Sequence, residues 1–532
     1  MASTRTKQPK PPKQTSSALD HPYHKGWFRF FEILPGAALW LGLTLPFLFA
    51  RLFPFEVTLF IVMFDAYWLG KSLISAWLLY KGWKQQDTNL KTDWPALLVE
   101  LENQPHAELT KQGMYLPSTI YNAVILTTYN EDESILRSSL ESLANSKYPL
   151  ERLIIVLATE GRAGEPSRKK AANLTATFKD TFGAFIVTEH PDGIVGEVKA
   201  KGANATWAAK ELVRWVHEKW INPDHVVVTT ADADCRFHPT YLSCLTFQYA
   251  TTPERLHRGY QPIATFLNNV WEAPMLSRVG AFSTTFWHLS ESVRDYRLFT
   301  FSTHAISLQT LINIDYWCTS IVNEDSRQYF RAWFYYGGKF KVLPLFMPVY
   351  MDAVYVNNLK DTFRNLYLQQ QRWAYGVEHF PYLVLESFHH PEIPLKERFI
   401  QIWRAFQGTF SWGTNAFFIS VVGWLPVLLN EHFRDQLIAS NFPLVTQTLL
   451  TVTWIGVLVA NGVSFKLLPP FPEKNKWRYV ASMVLQWAFV PLQTILFGAL
   501  PGIDSQTRLM LGKYLGFRVT DKQSVVAKPE TV

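Results

Sequence analysis

Two stretches near the start of the chain limit what it can fold into: ILPGAALWLGLTLPFLFA (residues 33–50) and FEVTLFIVMFDAYWLGKSLISAWLLY (residues 55–80). Each is about as long as a helix needs to cross ~30 Å of hydrocarbon. Asp65 and Lys71 interrupt the second, and charges at that depth usually face protein or a polar cavity. Three more apolar blocks follow at about 411–430, 442–466 and 479–500. Between the two groups, residues from about 95 to 395 have the composition of a soluble domain. The expected organisation is a basic disordered tail over 1–30, a transmembrane hairpin over 31–84 and a soluble domain over 85–395. Interfacial and transmembrane or re-entrant helices would then fill 396–500, before a basic tail over 501–532.

Charge orients these parts. Lys7, Lys10, Lys13 and Lys25 precede the hairpin and Lys81 and Lys84 close it, which puts both of its ends in the cytoplasm by the positive-inside rule. The first residues lack an apolar core and a small-residue cleavage site, so no signal peptide is expected. LKERFIQIWRAFQ (395–407) mixes charges with aromatics and suits an interfacial helix. The C-terminal tail carries Arg508, Lys513, Arg518, Lys522 and Lys528. Three late spans would put it outside, against the same rule, so the last block, interrupted by Pro491, is expected to be re-entrant or interfacial. The net charge of +7 on 532 residues fits anionic lipid head groups or an anionic substrate better than nucleic acid. The three cysteines (Cys235, Cys244, Cys318) form no CxxC pair. A disulfide framework or cysteine zinc site is therefore not expected, and a reducing compartment fits.

In the soluble part, the runs YNAVILTTYN, ERLIIVLATE, FGAFIVTE and DHVVVTTADAD read as strands. They alternate with helical segments such as ESILRSSLESLANS and AKGANATWAAKELVRWVHEKW. That alternation predicts an α/β domain with a mainly parallel sheet covered on both faces. The fourth run ends in VTTADADCRFHP (228–239). Asp232 and Asp234 fall at the carboxyl end of a strand, where open α/β sheets bind ligands. Alternation in extended backbone would put both on one side. Two neighbouring anions repel unless a positive charge sits between them, and a divalent cation (Mg2+ or Mn2+) answers that need with substrate phosphates completing its shell. Alone, the same residues also fit an Asp-rich turn that caps the next helix.

Four more stretches stand in order around this one: TTYNEDESIL with Tyr129 and Asn130, VKAKGANAT with Lys199 and Lys201, SIVNEDSRQYF with Glu324 and Asp325, and QQQRWAYG with Gln369, Arg372 and Trp373. DxD, then ED, then QxxRW at comparable spacing between membrane segments resembles the processive family 2 glycosyltransferases, the cellulose, hyaluronan and chitin synthases. The resemblance covers nearly the whole soluble domain and implies a GT-A fold. It implies an enzyme of the cell (inner) membrane, multi-pass, with a cytoplasmic catalytic domain. Its donor would be a nucleotide sugar (a UDP- or GDP-sugar) and its acceptor a glycan or lipid-linked chain, with no nucleic acid as partner.

By the same resemblance, Asp232 would meet the nucleotide and Asp234 the metal. His238, close after the pair, reads by its position as a turn residue before Pro239 or a third metal ligand. Asp325, beside Glu324, matches the general base. Arg372 would contact the diphosphate through its forked donors, Trp373 would stack on the acceptor sugar and Gln369 would brace that pocket. Lys199 or Lys201 would help hold phosphate, or merely solvate a helix start. The tail motif FRVTDK (517–522) is similar to a gating loop, with Phe517, Val519 and Thr520 near the site mouth.

One segment departs from the family. Where acids that hold base and ribose are usual, VLATEGRAG leaves only Glu160. Transfer to a lipid phosphate or lipid-linked acceptor without processivity, a nucleotide-binding membrane scaffold without turnover, and a transporter are the rival readings. QxxRW opposes the first, the intact acids and Arg372 oppose the second, and the large soluble domain opposes the third.

Overall fold

Runs of Val, Ile and Leu long enough for a strand and closed by polar residues build the sheet of the soluble domain, because branched side chains pack well on a pleated surface. The structure is a computed structural model that describes residues 25–356, 358–472 and 475–516. Eight strands form one sheet: β1 (Tyr121–Thr127), β2 (Leu153–Glu160), β3 (Ala184–His190), β4 (Val226–Asp232), β5 (Arg236–Phe237), β6 (Arg258–Thr265), β7 (His304–Ser307) and β8 (Lys341–Tyr350). Their order is β3-β2-β1-β4-β7-β6-β8-β5. The first four pair in parallel, as do β6 and β8, whereas β7 runs antiparallel to both β4 and β6 and β5 antiparallel to β8.

The two faces of β1 and β2 bury alternate residues in separate cores. Val124, Leu126, Ile155 and Leu157 pack with Leu136, Leu140 and Leu143 of the helix Glu133–Ala144. Ala123, Ile125, Ile154 and Val156 pack with Ala205, Ala208, Ala209, Leu212 and Val216 of the helix Lys201–Glu218. Covered on both sides, these strands read as continuous apolar runs. The register aligns Thr127 with Asp232 on one side and Ala158 on the other, so β1, β2 and β4 end together. Strand order reverses direction at β1, and a crevice opens there.

The other half of the sheet was not legible as strands. β7 has only four residues. β8, KVLPLFMPVY, contains two prolines and a left-handed Phe346 (φ 50°). The prolines are tolerated because one neighbour of β8 is the two-residue β5 and the ladder to β6 is itself irregular between Gln261 and Ile263.

Four helices among the described residues are long and apolar enough to cross a membrane, or up to five with one bent pair. Lys25–Leu52 and Pro54–Lys91 form the N-terminal hairpin. At its soluble end Gly82 lies against the backbone of Leu289, whose carbonyl carbon would be 2.9 Å from an added Cβ. The interfacial segment expected over 395–407 is not separate from the apolar block that follows. One helix spans Leu395–Ser420, since no proline or turn sequence breaks it. The break comes later, where Val422–Leu429 bends away by 42°. This helix runs beside the N-terminal hairpin, with Phe410 at Gly42 and Phe418 against Phe64 (5.3 Å between ring centres). Leu437–Leu467 returns along the second helix. Phe442 clusters with Ile61, the Ser72 hydroxyl donates to the Thr453 carbonyl (3.3 Å), and Val463 reaches Leu79 and Leu289.

The last block, Lys476–Met510, qualifies as a span by length and composition. It touches both the membrane helices, where Trp40 donates to Thr507 (3.0 Å) and Gln506 to the Thr409 carbonyl (2.9 Å), and the soluble domain. Arg278 donates to Gln486 (3.0 Å), Trp487 stacks on Phe286 (5.8 Å) and Phe497 meets Phe363 (5.8 Å). The Tyr367 hydroxyl and the Gln371 amide donate to Asp504. A 3₁₀ turn over Gln486–Phe489 leads into Pro491 at the start of the next helical turn, where a missing N–H costs little.

Candidate functional site

The ends of β1, β2, β4, β6 and β8 open onto one cleft of about 310 Å³. Residues from six separate stretches line it: Tyr129 and Asn130, Glu160, Lys201, Asp232 and Asp234, Glu324 and Asp325, and Gln369, Arg372 and Trp373. All eleven were expected from sequence. The aligned ends of β1, β2 and β4 bring Tyr129, Asn130, Glu160, Asp232 and Asp234 together, and the helices Lys201–Glu218, Glu324–Tyr335 and Leu359–Ala374 supply the rest.

Asp232 is the last residue of β4, and Asp234 lies in the turn after it, with the Cys235 N–H donating to the Asp232 carbonyl (3.2 Å). A turn, rather than the alternation of extended backbone, therefore brings the two carboxylates to one cleft. The Lys201 ammonium donates to Asp232 Oδ1 at 2.7 Å with its side chain only 11% exposed. Burial alone would lower the Lys201 pKa, but the nearby charges of Asp232 and Glu324 hold it above its usual value. The Asp352 N–H donates to Asp234 Oδ2 (3.2 Å).

Asp325 sits in the first turn of the helix Glu324–Tyr335. Its Oδ2 accepts the Ser302 N–H (2.7 Å) and its Oδ1 the Ser326 N–H (2.7 Å). Ser302 has φ of 50°, the left-handed region that L residues seldom occupy. From there its hydroxyl also reaches Asp232 Oδ2 (3.4 Å). Glu324 is buried, and burial, with the Asp325 charge beside it, pushes its pKa up to about 8. Gly202 makes this packing feasible, since an added Cβ would stand 2.9 Å from the Glu324 side chain.

The helix Leu359–Ala374 supplies the other wall. Gln369, Arg372 and Trp373 fall at i, i+3 and i+4 and share a face. Trp373 lies near Phe266 (6.0 Å) and Phe301 (6.1 Å), both edges of the same cleft.

At the β2 end, Glu160 pairs with Arg162, whose guanidinium lies 4.1 Å from the centre of the Tyr129 ring. The Tyr129 N–H is fixed by Glu131 (2.7 Å). Two expected residues stand elsewhere. Lys199 pairs with Asp192 (2.5 Å) on an exposed loop and does not line the cleft. His238 turns its Nδ1 to Thr240, accepting that residue's N–H at 3.3 Å. It serves the turn into the helix Tyr241–Thr251 and not the carboxylates, because Pro239 directs the chain away. Phe517, Val519 and Thr520 lie outside the described residues.

Sequence reading missed Ser302, Arg162 and Asp352. Asn204, in the stretch VKAKGANAT, donates its amide N–H to the Ala158 carbonyl at 2.8 Å and lines the cleft. Asp352 follows a strand whose prolines hid it. Ser302 carried no signal, since its role depends on backbone conformation.

The donor set suits a hard divalent cation, being carboxylate oxygen throughout. Among the described residues no three His, Cys, Asp or Glu side chains converge closely enough to hold a metal alone. Asp232 and Asp234 fit one whose shell is completed by substrate oxygens.

No family model matches the sequence, and no curated protein matches it. Among solved structures the chain is similar to the mannosyltransferase PcManGT from Pyrobaculum calidifontis in complex with GDP-Man and Mn2+. Identity is 15%, coverage 81% of this chain and 99% of that chain, and the TM-score 0.37. It is similar to S. aureus TarS 1-349 in complex with UDP at 12% identity, 77% and 98% coverage and a TM-score of 0.34. Scores of this size carry no argument about the chemistry of this chain.

The raised Glu324 pKa has a consequence for stability. A carboxyl with a folded pKa above its unfolded one contributes stability that is fully present below the unfolded value and is lost as pH rises from there to the folded value, levelling off above it. With Glu324 raised from 4.5 to about 8, the wild type loses melting temperature between those two values. Glu324→Gln keeps the neutral form and flattens that loss. Equal losses in both proteins, measured by thermal unfolding in detergent, contradict the assignment.

Proposed function

We propose that this chain is a membrane-bound, inverting glycosyltransferase with a GT-A catalytic domain, moving a sugar from a UDP- or GDP-sugar to a growing polysaccharide. One observation carries the reading: Asp232, Asp234, Asp325, Arg372 and Trp373, drawn from three distant segments, line one cleft. The donor diphosphate lies at the Asp232–Asp234 end, with Lys201 and Arg372 as its cationic neighbours. A divalent cation (Mg2+ or Mn2+) held by Asp232 and Asp234 would supply positive charge to the leaving diphosphate. Tyr129, Asn130 and Glu160 lie at the β2 side, where the nucleoside would rest.

Asp325 acts as general base. Its two oxygens are already fixed by the N–H groups of Ser302 and Ser326 (2.7 Å each), so the lone pairs left over have a set direction. The acceptor hydroxyl gives its proton to this carboxylate as its oxygen attacks the anomeric carbon. The bond from that carbon to the diphosphate oxygen breaks on the opposite face, which inverts the configuration. Trp373, backed by Phe266 and Phe301, offers an aromatic face to the C–H surface of the acceptor sugar and tolerates its sliding. Gln369 braces that wall.

In the membrane, the reading puts the catalytic domain and both chain ends on the cytoplasmic side. On this reading the helices Lys25–Leu52, Pro54–Lys91 and Leu437–Leu467 and the bent pair Leu395–Ser420 with Val422–Leu429 cross, and Lys476–Met510, itself long and apolar enough to span, is re-entrant or interfacial. An even number of crossings keeps the basic tail inside. The gating-like motif begins just past Leu515, which packs with Tyr375 and Val377, two and four residues beyond Trp373. Ending the chain after Gly516 keeps that anchor and removes the motif. Turnover of the truncated protein falls at least about tenfold while insertion persists, and unchanged turnover excludes a gating role.

Asp325→Asn is nearly isosteric but accepts no proton. We expect turnover to fall about 10²–10⁴-fold with nucleotide-sugar binding preserved, read by donor titration and by release of nucleoside diphosphate. A variant that keeps more than half of wild-type turnover removes Asp325 from the base role.

A further inference from the structure

We propose that His379 is a positioning residue for Asp325, locked in one tautomer by the buried Arg327 and acting through Ser326; this rests on Asp325 being the base. Arg327 is fully buried and stands on the same helix as Asp325. Its Nε–H donates to His379 Nδ1 (3.2 Å), its Nη2 donates to the Glu378 carbonyl (3.2 Å), and its guanidinium lies 4.0 Å from the Tyr382 ring centre. A guanidinium is only ever a donor, so Nδ1 must accept and the ring proton of a neutral imidazole must sit on Nε2. Burial, and then the Arg327 charge, keep His379 neutral by holding its pKa well below the usual value.

Nε2–H therefore donates to Ser326 Oγ, 2.8 Å away. With that lone pair occupied, the Ser326 hydroxyl turns its own hydrogen toward Asp325 Oδ1 and the Asn323 carbonyl, each at 3.4 Å. The Ser326 N–H already holds the same Oδ1 at 2.7 Å. Donors thus point one way, from Arg327 through His379 and Ser326 to the carboxylate. Because Nε2 already carries a proton, the chain cannot carry one away from Asp325. It orients the base and leaves proton disposal to solvent.

The residue before His379 reinforces this. Glu378 Oε1 accepts the N–H groups of Val322 (3.3 Å) and Asn323 (3.1 Å), and the Asn323 amide donates to the Arg372 carbonyl (3.1 Å). Glu378 and His379 follow directly on the helix that bears Arg372 and Trp373. One short buried segment thereby ties the tip bearing the base to the helix that meets the diphosphate. A carboxylate allowed to swing would lose the reactive geometry while Asp232 and Asp234 kept the donor.

The test compares His379→Ala, Ser326→Ala and His379→Gln in the full-length protein. Glutamine can place an amide N–H near the Nε2 position. We expect both alanine variants to lower kcat about tenfold or more with donor KM within about threefold of wild type, and His379→Gln to recover most of the loss. Should His379→Ala fail to fold, Ser326→Ala decides, since it deletes one part-buried hydroxyl. Ser326→Ala retaining more than half of kcat, or losing donor affinity as much as kcat, overturns the proposal. An inactive Asp325→Asn beside a fully active Ser326→Ala sinks only this chain of contacts. An active Asp325→Asn sinks the base assignment beneath it.

Discussion

The buried contact between Lys201 and Asp232 is the interaction on which the site depends. The strand ends and the helix Glu324–Tyr335 gather Asp232, Asp234, Asp325, Asp352, Glu160 and Glu324 around one cleft, and such a gathering repels itself unless charge is balanced. Lys201 opens the helix Lys201–Glu218, an unfavourable place for a cation because the helix N-terminus is itself positive. The 2.7 Å contact with Asp232 offsets both conflicts. Gly202 lets the helix start pack against Cys318 and Glu324, and burial with the Asp325 charge beside it keeps Glu324 protonated near neutral pH, which lowers the negative charge further.

How much of this could be read from the sequence depended on whether a residue acts through its type or through its backbone. β1 to β4 were visible because buried parallel strands are continuous apolar runs. Asp232, Asp234, Asp325, Arg372 and Trp373 were visible because their side chains carry recognisable chemistry at recognisable spacing. β5 to β8 were hidden by brevity, by Pro344 and Pro348, and by a reversal of direction that no local pattern records. Lys199 and His238 looked equivalent to Lys201 and Asp234 by type, but an Asp192 pair and a turn before the next helix claimed them. Ser302 acts through its N–H and a positive φ, and neither is written in the letter S. His379 acts through a tautomer set by a residue 52 positions away.

The helix Leu359–Ala374 joins the two halves of the molecule. One face presents Gln369, Arg372 and Trp373 to the cleft, while Tyr367 and Gln371 bond Asp504 of the last apolar block. The Ser505 hydroxyl adds a bond to the Gln371 carbonyl (2.7 Å). The same helix thus connects the last apolar block to the residues that would hold diphosphate and acceptor.

Release of nucleoside diphosphate by the purified protein, followed across a panel of UDP- and GDP-sugars with mass analysis of the product, tests the central claim most directly. The account predicts release from at least one donor, loss of that release in excess EDTA, recovery on adding Mg2+ or Mn2+, and the sugar appearing in a lengthening glycan. Full release in EDTA, or no release above buffer from any donor, would contradict it.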